Sequence, residues 1–240
     1  MPELPRALFF DLDDTIIDDS SNVDTAWRSA ITAFVGSEVD ALLGLVHEVR
    51  DWYWSDPERH RLGRADLRGT SAWIVGEALT RFGTADSSLA TQIGHRYRDV
   101  RDGARQLFPG AVETIKGLRG HGVKLALLTN GSSAGQRAKI EQFGLEQHFD
   151  YISIEGEFGC GKPDERVYKA ALKALESQPS ETWMVGDNLE WDVAAPMRLG
   201  ITGIWIDRQG AGLPVSATAK LFEDGSRQPD RIIRAISELL

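Results

Sequence analysis

The chain has 240 residues, with 27 Lys or Arg against 36 Asp or Glu, and its net charge of −9 lacks the cationic footprint that a nucleic-acid polymer requires. Its 42% apolar content, including 7 Trp and 9 Phe, supplies a core and argues against disorder. The single cysteine, Cys160, excludes an internal disulfide or a cysteine zinc cluster, and no apolar run reaches the roughly 20 residues of a membrane-spanning helix.

The first element is the apolar run Ala7-Leu8-Phe9-Phe10 ending on Asp11, expected as a fully buried strand. From Ser20 to Arg105 apolar residues recur at three- and four-residue spacings, as in Ala26, Ala30, Ala33 and Phe34, which predicts helices and no strand. After Pro109-Gly110 the texture changes. Helical stretches alternate with buried strands expected at Lys124–Thr129, Tyr151–Ile154, Thr182–Asp187 and Ile201–Asp207. Such alternation means right-handed crossovers and a parallel sheet. A lone first strand would have no sheet of its own. The expected organisation is therefore discontinuous: residues 1–19 and 106–240 form a Rossmann-like α/β core, and residues 20–105 form an inserted all-helical domain.

In open α/β sheets the ligand site lies beyond the carboxyl ends of the strands. The first strand ends on Asp11-Leu12-Asp13-Asp14-Thr15, the second on Thr129-Asn130-Gly131, and the fourth on Gly186-Asp187-Asn188, with Asp192 five residues on. Gly161-Lys162-Pro163-Asp164 is expected to open the helix after the third strand, with Pro163 near its first turn. Each segment alone is ordinary turn chemistry. Together they place acids, one lysine and one hydroxyl on one sheet edge. Clustered carboxylates repel unless a cation sits among them, and oxygen donors without His or Cys favour Mg²⁺. Asp14 and Thr15 are read as serving the turn, and Asp18 and Asp19 as solvated. Cys160 is read as a small loop residue, and the five histidines share no motif.

The four segments, in this order and spacing, resemble the motifs of the haloacid dehalogenase-like hydrolases, specifically the phosphatases with a helical cap inserted after the first strand. Among these the chain looks most like the acylneuraminate-9-phosphatase and nucleotidase-like branch. The resemblance implies that Asp11 is the nucleophile, forming an aspartyl-phosphate, and that Asp13 is the general acid and then the base. It implies Mg²⁺ held by Asp11, the main-chain carbonyl of Asp13 and Asp187, with Asp192 supporting directly or through water. It further implies that Thr129 and the N–H of Asn130 bind phosphoryl oxygens, and that Lys162 offsets negative charge.

Within the insert, the stretch Arg50–Arg61 is aromatic and basic. Trp54, Arg61 and Arg64 are the candidates to meet the non-phosphate part of a substrate. A helical cap suggests a small phosphorylated metabolite: a nucleotide, a sugar phosphate or a flavin-type compound. No nucleic-acid polymer or membrane is expected as partner, and the chain is expected as a monomer or homodimer. The start Met1-Pro2-Glu3-Leu4-Pro5 lacks a signal-peptide pattern, so a reduced, cytoplasmic setting is expected. The alternatives are a 2-haloacid dehalogenase, a phosphomutase, or a catalytically silent sensor of a phosphorylated ligand. Dehalogenases of the family lack the second aspartate that Asp13 supplies, and no cap residue is identified that would return a phosphoryl group.

Overall fold

The computed structural model describes residues 4–214 and 228–240; the first three residues of the start segment lie outside the described residues. The chain divides into two compact units, one from residues 1–18 and 107–240, the other Asp19–Gln106.

In the first unit the elements run β1 (Ala7–Phe10) and β2 (Ile17–Asp18), and the chain then departs into the second unit. It returns through β3 (Gln106–Leu107), whose second residue opens this part of the unit, and pairs there with β2. The five helices in between are α1 (Val23–Thr32), α2 (Val39–Trp54), α3 (Pro57–Ala65), α4 (Leu67–Phe82) and α5 (Ser87–Gly103). Then follow α6 (Ala111–Gly120), β4 (Lys124–Thr129), α7 (Ser133–Gln142), β5 (Tyr151–Ile154), α8 (Glu155–Phe158), α9 (Glu165–Leu175), β6 (Thr182–Gly186), a π-helical turn Leu189–Ala194, α10 (Ala195–Arg198), β7 (Thr202–Ile206) and β8 (Arg231–Ile233).

The main sheet has the order β5-β4-β1-β6-β7-β8, and every neighbouring pair is parallel. The sequence reading stops at five strands. The sixth, β8, is a three-residue edge strand whose residues Arg-Ile-Ile are too few to carry a period. Alternation explains the layering. Leu8 and Phe10 of β1, Leu125 and Leu127 of β4, and Val185 of β6 share one buried cluster with Ile115 of α6 and Ile140 of α7. Ala7, Phe9, Ala126, Leu128 and Met184 face the other way, onto Val167, Tyr168, Ala171, Leu172 and Leu175 of α9. With both faces covered, β1 is apolar at every position. Strand order reverses between β1 and β6, with Phe10 paired to Val185. The crevice at that reversal is where ligands bind in such sheets.

The short α8 stands between β5 and α9. Asp164 is the N-cap of α9, its carboxylate accepting from Arg166 N at 2.9 Å, and Pro163 lies one residue before that cap.

The second unit packs α1, α2, α4 and α5 around Trp27, Ile31, Leu42, Val46, Ile74, Leu79 and Ile93. Trp27 lies flat on Tyr97, ring centroids 3.5 Å apart. Asp56, Asp66 and Asp86 cap α3, α4 and α5, each accepting from a backbone N–H three residues on. Asp19 corrects one expectation. It is buried, not solvated, and binds Arg101 as well as Arg105, whose Nε is 2.7 Å away. Among the described residues no helix is long and apolar enough to cross a membrane.

Candidate active site

Everything at the sheet edge begins with where β1 stops. Asp11 N donates to Val185 O at 3.0 Å, so Asp11 is fixed in register beside β6. The period of two persists for two more residues: Leu12 enters the core while Asp11 and Asp13 remain outside it. The chain then turns, with Ile16 N and Ile17 N both donating to Leu12 O and with Asp14 at φ 58°, in the left-handed region. Arg208, lying over the Phe108 ring, donates to the carbonyls of Asp14 and Thr15 and pins that turn from the β7 side. The main-chain carbonyls of Asp14 and Thr15 are thereby held in the turn.

At the ends of β1 and β6 one lysine bridges two acids. Lys162 Nζ lies 2.7 Å from Asp11 Oδ1 and 2.7 Å from Asp192 Oδ1, with its side chain 1% exposed. Asp192 Oδ2 accepts from Asn188 N at 3.0 Å. Asp187 completes the group: Asp11, Asp187 and Asp192 each offer an oxygen within 4.8 Å of the others. Among the described residues no hydrogen bond meets the Asp187 carboxylate, and solvent reaches it. Gly186 permits this crowding, since a β-carbon there would lie 2.2 Å from Asp192 Oδ2.

One ammonium cannot neutralise three carboxylates, and the ionisation of the group records this. Burial raises the Asp11 carboxyl to about 7; Lys162 opposes the shift, while Asp192 and Asp13 add to it. Desolvation likewise raises Asp187 above the usual carboxylate range, and the charges of Asp11, Asp192 and Asp14 push it the same way. Because solvent reaches Asp187, the repulsion is the sturdier of those causes. Burial alone would pull Lys162 down, but Asp11 and Asp192 outweigh it and keep the ammonium charged. An oxygen-only acid cluster with two buried members, one solvent-exposed member and excess negative charge fits a small hard dication.

The second and third segments meet through Asn130. Its side chain donates to Lys162 O at 2.7 Å and accepts from Lys162 N at 2.8 Å, which fixes the backbone from which the lysine reaches inward. Thr129 is buried at the end of β4. Gly131 adopts φ 134°, and its N–H donates to Glu155 Oε2 at 2.8 Å.

Sequence reasoning missed three residues here. Besides Glu155, they are Gln136 and Lys139, on the buried face of α7 together with Ile140. Lys139 Nζ lies 2.6 Å from Asp13 Oδ1, and Gln136 Nε2 lies 3.0 Å from Asp13 Oδ2. Their spacing of three, followed by Ile140, was the available signal: polar residues on an inward helical stripe.

The candidates of the inserted segment lie in the other unit and make the following contacts with near neighbours in sequence. The Trp54 ring meets Tyr53 and His60 edge-on, Arg61 grips Glu58, and Arg64 Nη1 is 2.8 Å from His60 Nδ1. Trp27 is core, whereas Trp52 and Trp73 are about half exposed.

A family model described as haloacid dehalogenase-like hydrolase matches residues 5–200. The chain is 31% identical over 223 residues to a phosphoserine phosphatase of Thermus thermophilus, covering 85% of this chain and 89% of that protein. It is 30% identical over 211 residues to a glyceraldehyde 3-phosphate phosphatase of Pyrococcus furiosus, covering 83% and 80%. Among solved structures, the HAD-hydrolase YfnB of Bacillus subtilis, bound to magnesium, superposes with a TM-score of 0.73 at 20% identity, covering 99% of this chain and 97% of that one. Strand order, the acid cluster beside the β1–β6 crevice and these matches agree, and the chain belongs to the haloacid dehalogenase-like hydrolases.

Proposed function

We propose that the protein is a Mg²⁺-dependent phosphatase that hydrolyses a small-molecule phosphate monoester through an aspartyl-phosphate on Asp11. The observation that carries this reading is the pairing of two differently held aspartates at the end of β1. Asp11 sits among Lys162, Asp187 and Asp192, while Asp13 is held apart by Lys139 and Gln136. A nucleophile and a proton-transfer group need such separate environments. A dehalogenase has no alkoxide to protonate and no use for the second acid. The phosphatase names of the two curated relatives support the same choice.

In this mechanism a carboxylate oxygen of Asp11 attacks phosphorus as the leaving oxygen takes the proton of Asp13. Water then hydrolyses the acyl phosphate while Asp13 takes the water's proton. The Thr129 hydroxyl and the Asn130 N–H hold phosphoryl oxygens, and Lys162 balances charge as the phosphoryl group transfers. Asp11, Asp187, Asp192 and the main-chain carbonyl of Asp13 would hold Mg²⁺, and what that ion supplies when bound is neutralisation of the phosphate, so that an anion can approach an anion. Residues 1–19 and 106–240 act as the catalytic core and residues 20–105 as its cap, with Trp54, Arg61 and Arg64 as the side chains offered to the rest of the substrate. Nucleotides, sugar phosphates and flavin-type phosphates are the substrate classes to screen. The test is hydrolysis of p-nitrophenyl phosphate with Mg²⁺ and with EDTA, beside chloroacetate. Phosphate release that EDTA abolishes is expected; turnover of chloroacetate alone would replace this reading with dehalogenation.

A further inference from the structure

Beside the motif residues lies a buried pair of polar side chains that the mechanism does not use. Lys139 is a lysine on the inward face of α7, its side chain only 5% exposed, and its ammonium meets Asp13, whose side chain is 30% exposed. A long cationic side chain is seldom buried unless something fixed requires it. Gln136, one turn earlier on the same face, is buried as well. Its Nε2 lies 3.0 Å from Asp13 Oδ2, 3.0 Å from the Asn130 carbonyl, and against Thr129 Oγ1. The Asn130 carbonyl can only accept, so the amide group facing these partners is the NH₂.

We propose that Lys139, with Gln136 beside it, is a positioning residue for the proton transfers of Asp13, and that α7 thereby couples the acid–base group to the phosphate-binding end of β4. This rests on the phosphatase reading above. Asp13 lies beyond the last residue of β1, just before the turn at residues 14–16, where an aspartate otherwise samples several rotamers. One donor from α7 holds each of its oxygens, Lys139 on Oδ1 and Gln136 on Oδ2. Each oxygen keeps a second lone pair for the transferred proton. The Gln136 amide also meets the strand end that carries Thr129, so Asp13 and the phosphoryl-binding groups share one fixed reference.

The steps served are these. The Asp11–P bond forms, the P–O bond to the leaving group breaks, and the Asp13 carboxyl proton passes to the leaving oxygen, giving free alcohol, aspartyl-phosphate and Asp13 carboxylate. A water oxygen then bonds to phosphorus, its proton passes to Asp13, and the acyl P–O bond breaks, returning Asp11 and releasing inorganic phosphate. An alkoxide leaving group depends on the first proton, whereas p-nitrophenolate needs it little. Misplacement of an acid by about 1 Å costs on the order of 100-fold.

The experiment compares wild type, Lys139→Met, Lys139→Arg and Asp13→Asn on an alkyl phosphate and on p-nitrophenyl phosphate, from the same preparations. It follows steady-state kcat and KM together with the pre-steady-state release of p-nitrophenolate. In Lys139→Met the loss of kcat on the alkyl ester should exceed the loss in the p-nitrophenolate burst rate by about tenfold or more. KM should stay within about threefold, and Lys139→Arg should recover part of the difference, because a guanidinium can hold the same carboxylate. The amplitude of the p-nitrophenolate burst counts the folded, active sites, and expressing the alkyl-ester kcat per such site makes the comparison independent of the fraction of protein that is folded. Equal losses on both esters in Lys139→Met, or a change in KM alone, would overturn the proposal if Asp13→Asn shows the leaving-group split. Absence of the split in Asp13→Asn would overturn the acid–base role of Asp13 and the proposal with it, and absence of any phosphate release by wild type would overturn the phosphatase reading.

Discussion

Replacing Lys162 by Met removes the cation that bridges Asp11 and Asp192 while nearly preserving its volume. The ammonium makes two contacts of 2.7 Å with side chains that are 11% and 1% exposed, so water cannot take its place. Removing one partner of a buried pair costs about 3–5 kcal/mol; the two contacts share one charge, so their costs do not add. Proton uptake caps the loss. The variant's native acids bind more protons than its unfolded chain does, so its stability falls as pH rises from the unfolded carboxylate value near 4 toward the raised folded value. Wild-type Asp11 is already raised to about 7, and without Lys162 the range extends further upward. The deficit against wild type should therefore approach about 3–5 kcal/mol at pH 8 and shrink below that by about 1.4 kcal/mol per pH unit for each additional proton held. Urea unfolding in EDTA at pH 5 and pH 8 measures it, and added Mg²⁺ should narrow the gap at pH 8. A deficit of only about 1 kcal/mol, as for a surface pair, or one that does not change with pH, would refute the claim that Lys162 compensates buried negative charge.

Three further outcomes follow from the same geometry. Gly186→Ala puts a β-carbon 2.2 Å from Asp192 Oδ2 and 2.3 Å from its Cγ; the forced shift should weaken Mg²⁺ binding by calorimetry at least tenfold, and wild-type affinity would show that Asp192 is not needed where it stands. Because the raised acids hold protons that the ion must displace, Mg²⁺ should raise the Tm of wild type more at pH 8 than at pH 6; an equal rise would count against these acids as its ligands. Asp19→Ala leaves Arg101 and Arg105 without their shared carboxylate, and should destabilise the helical unit by about 3 kcal/mol with faster amide exchange along α5; unchanged exchange would show the cluster to be inert.

The sheet and much of its edge were legible because parallel strands buried on both faces must be apolar throughout, as Ala7–Phe10 and Leu125–Leu128 are. The residues that break such a run stand out at its end, as Asp11, Thr129 and Asp187 do. What escaped was polar chemistry whose reason lies across the fold. Lys139 looks like any solvated helical lysine until α7 packs and brings it to Asp13, 126 residues earlier. Asp19 looked solvated because its arginine partners lie 82 and 86 residues away. Asn130 was assigned to phosphate through its backbone alone, while its side chain clasps a loop 32 residues on. The edge strand β8 carries too few residues to show a period.

The most direct measurement is the covalent one. Wild type mixed with p-nitrophenyl phosphate and Mg²⁺, quenched in acid within a turnover and digested, should yield one phosphorylated peptide, the one that spans Ala7-Leu8-Phe9-Phe10-Asp11, with the phosphoryl group on Asp11. Asp11→Asn should be unlabelled and inactive. A phosphoryl group found on another residue, or hydrolysis that survives in Asp11→Asn, would contradict the proposed mechanism.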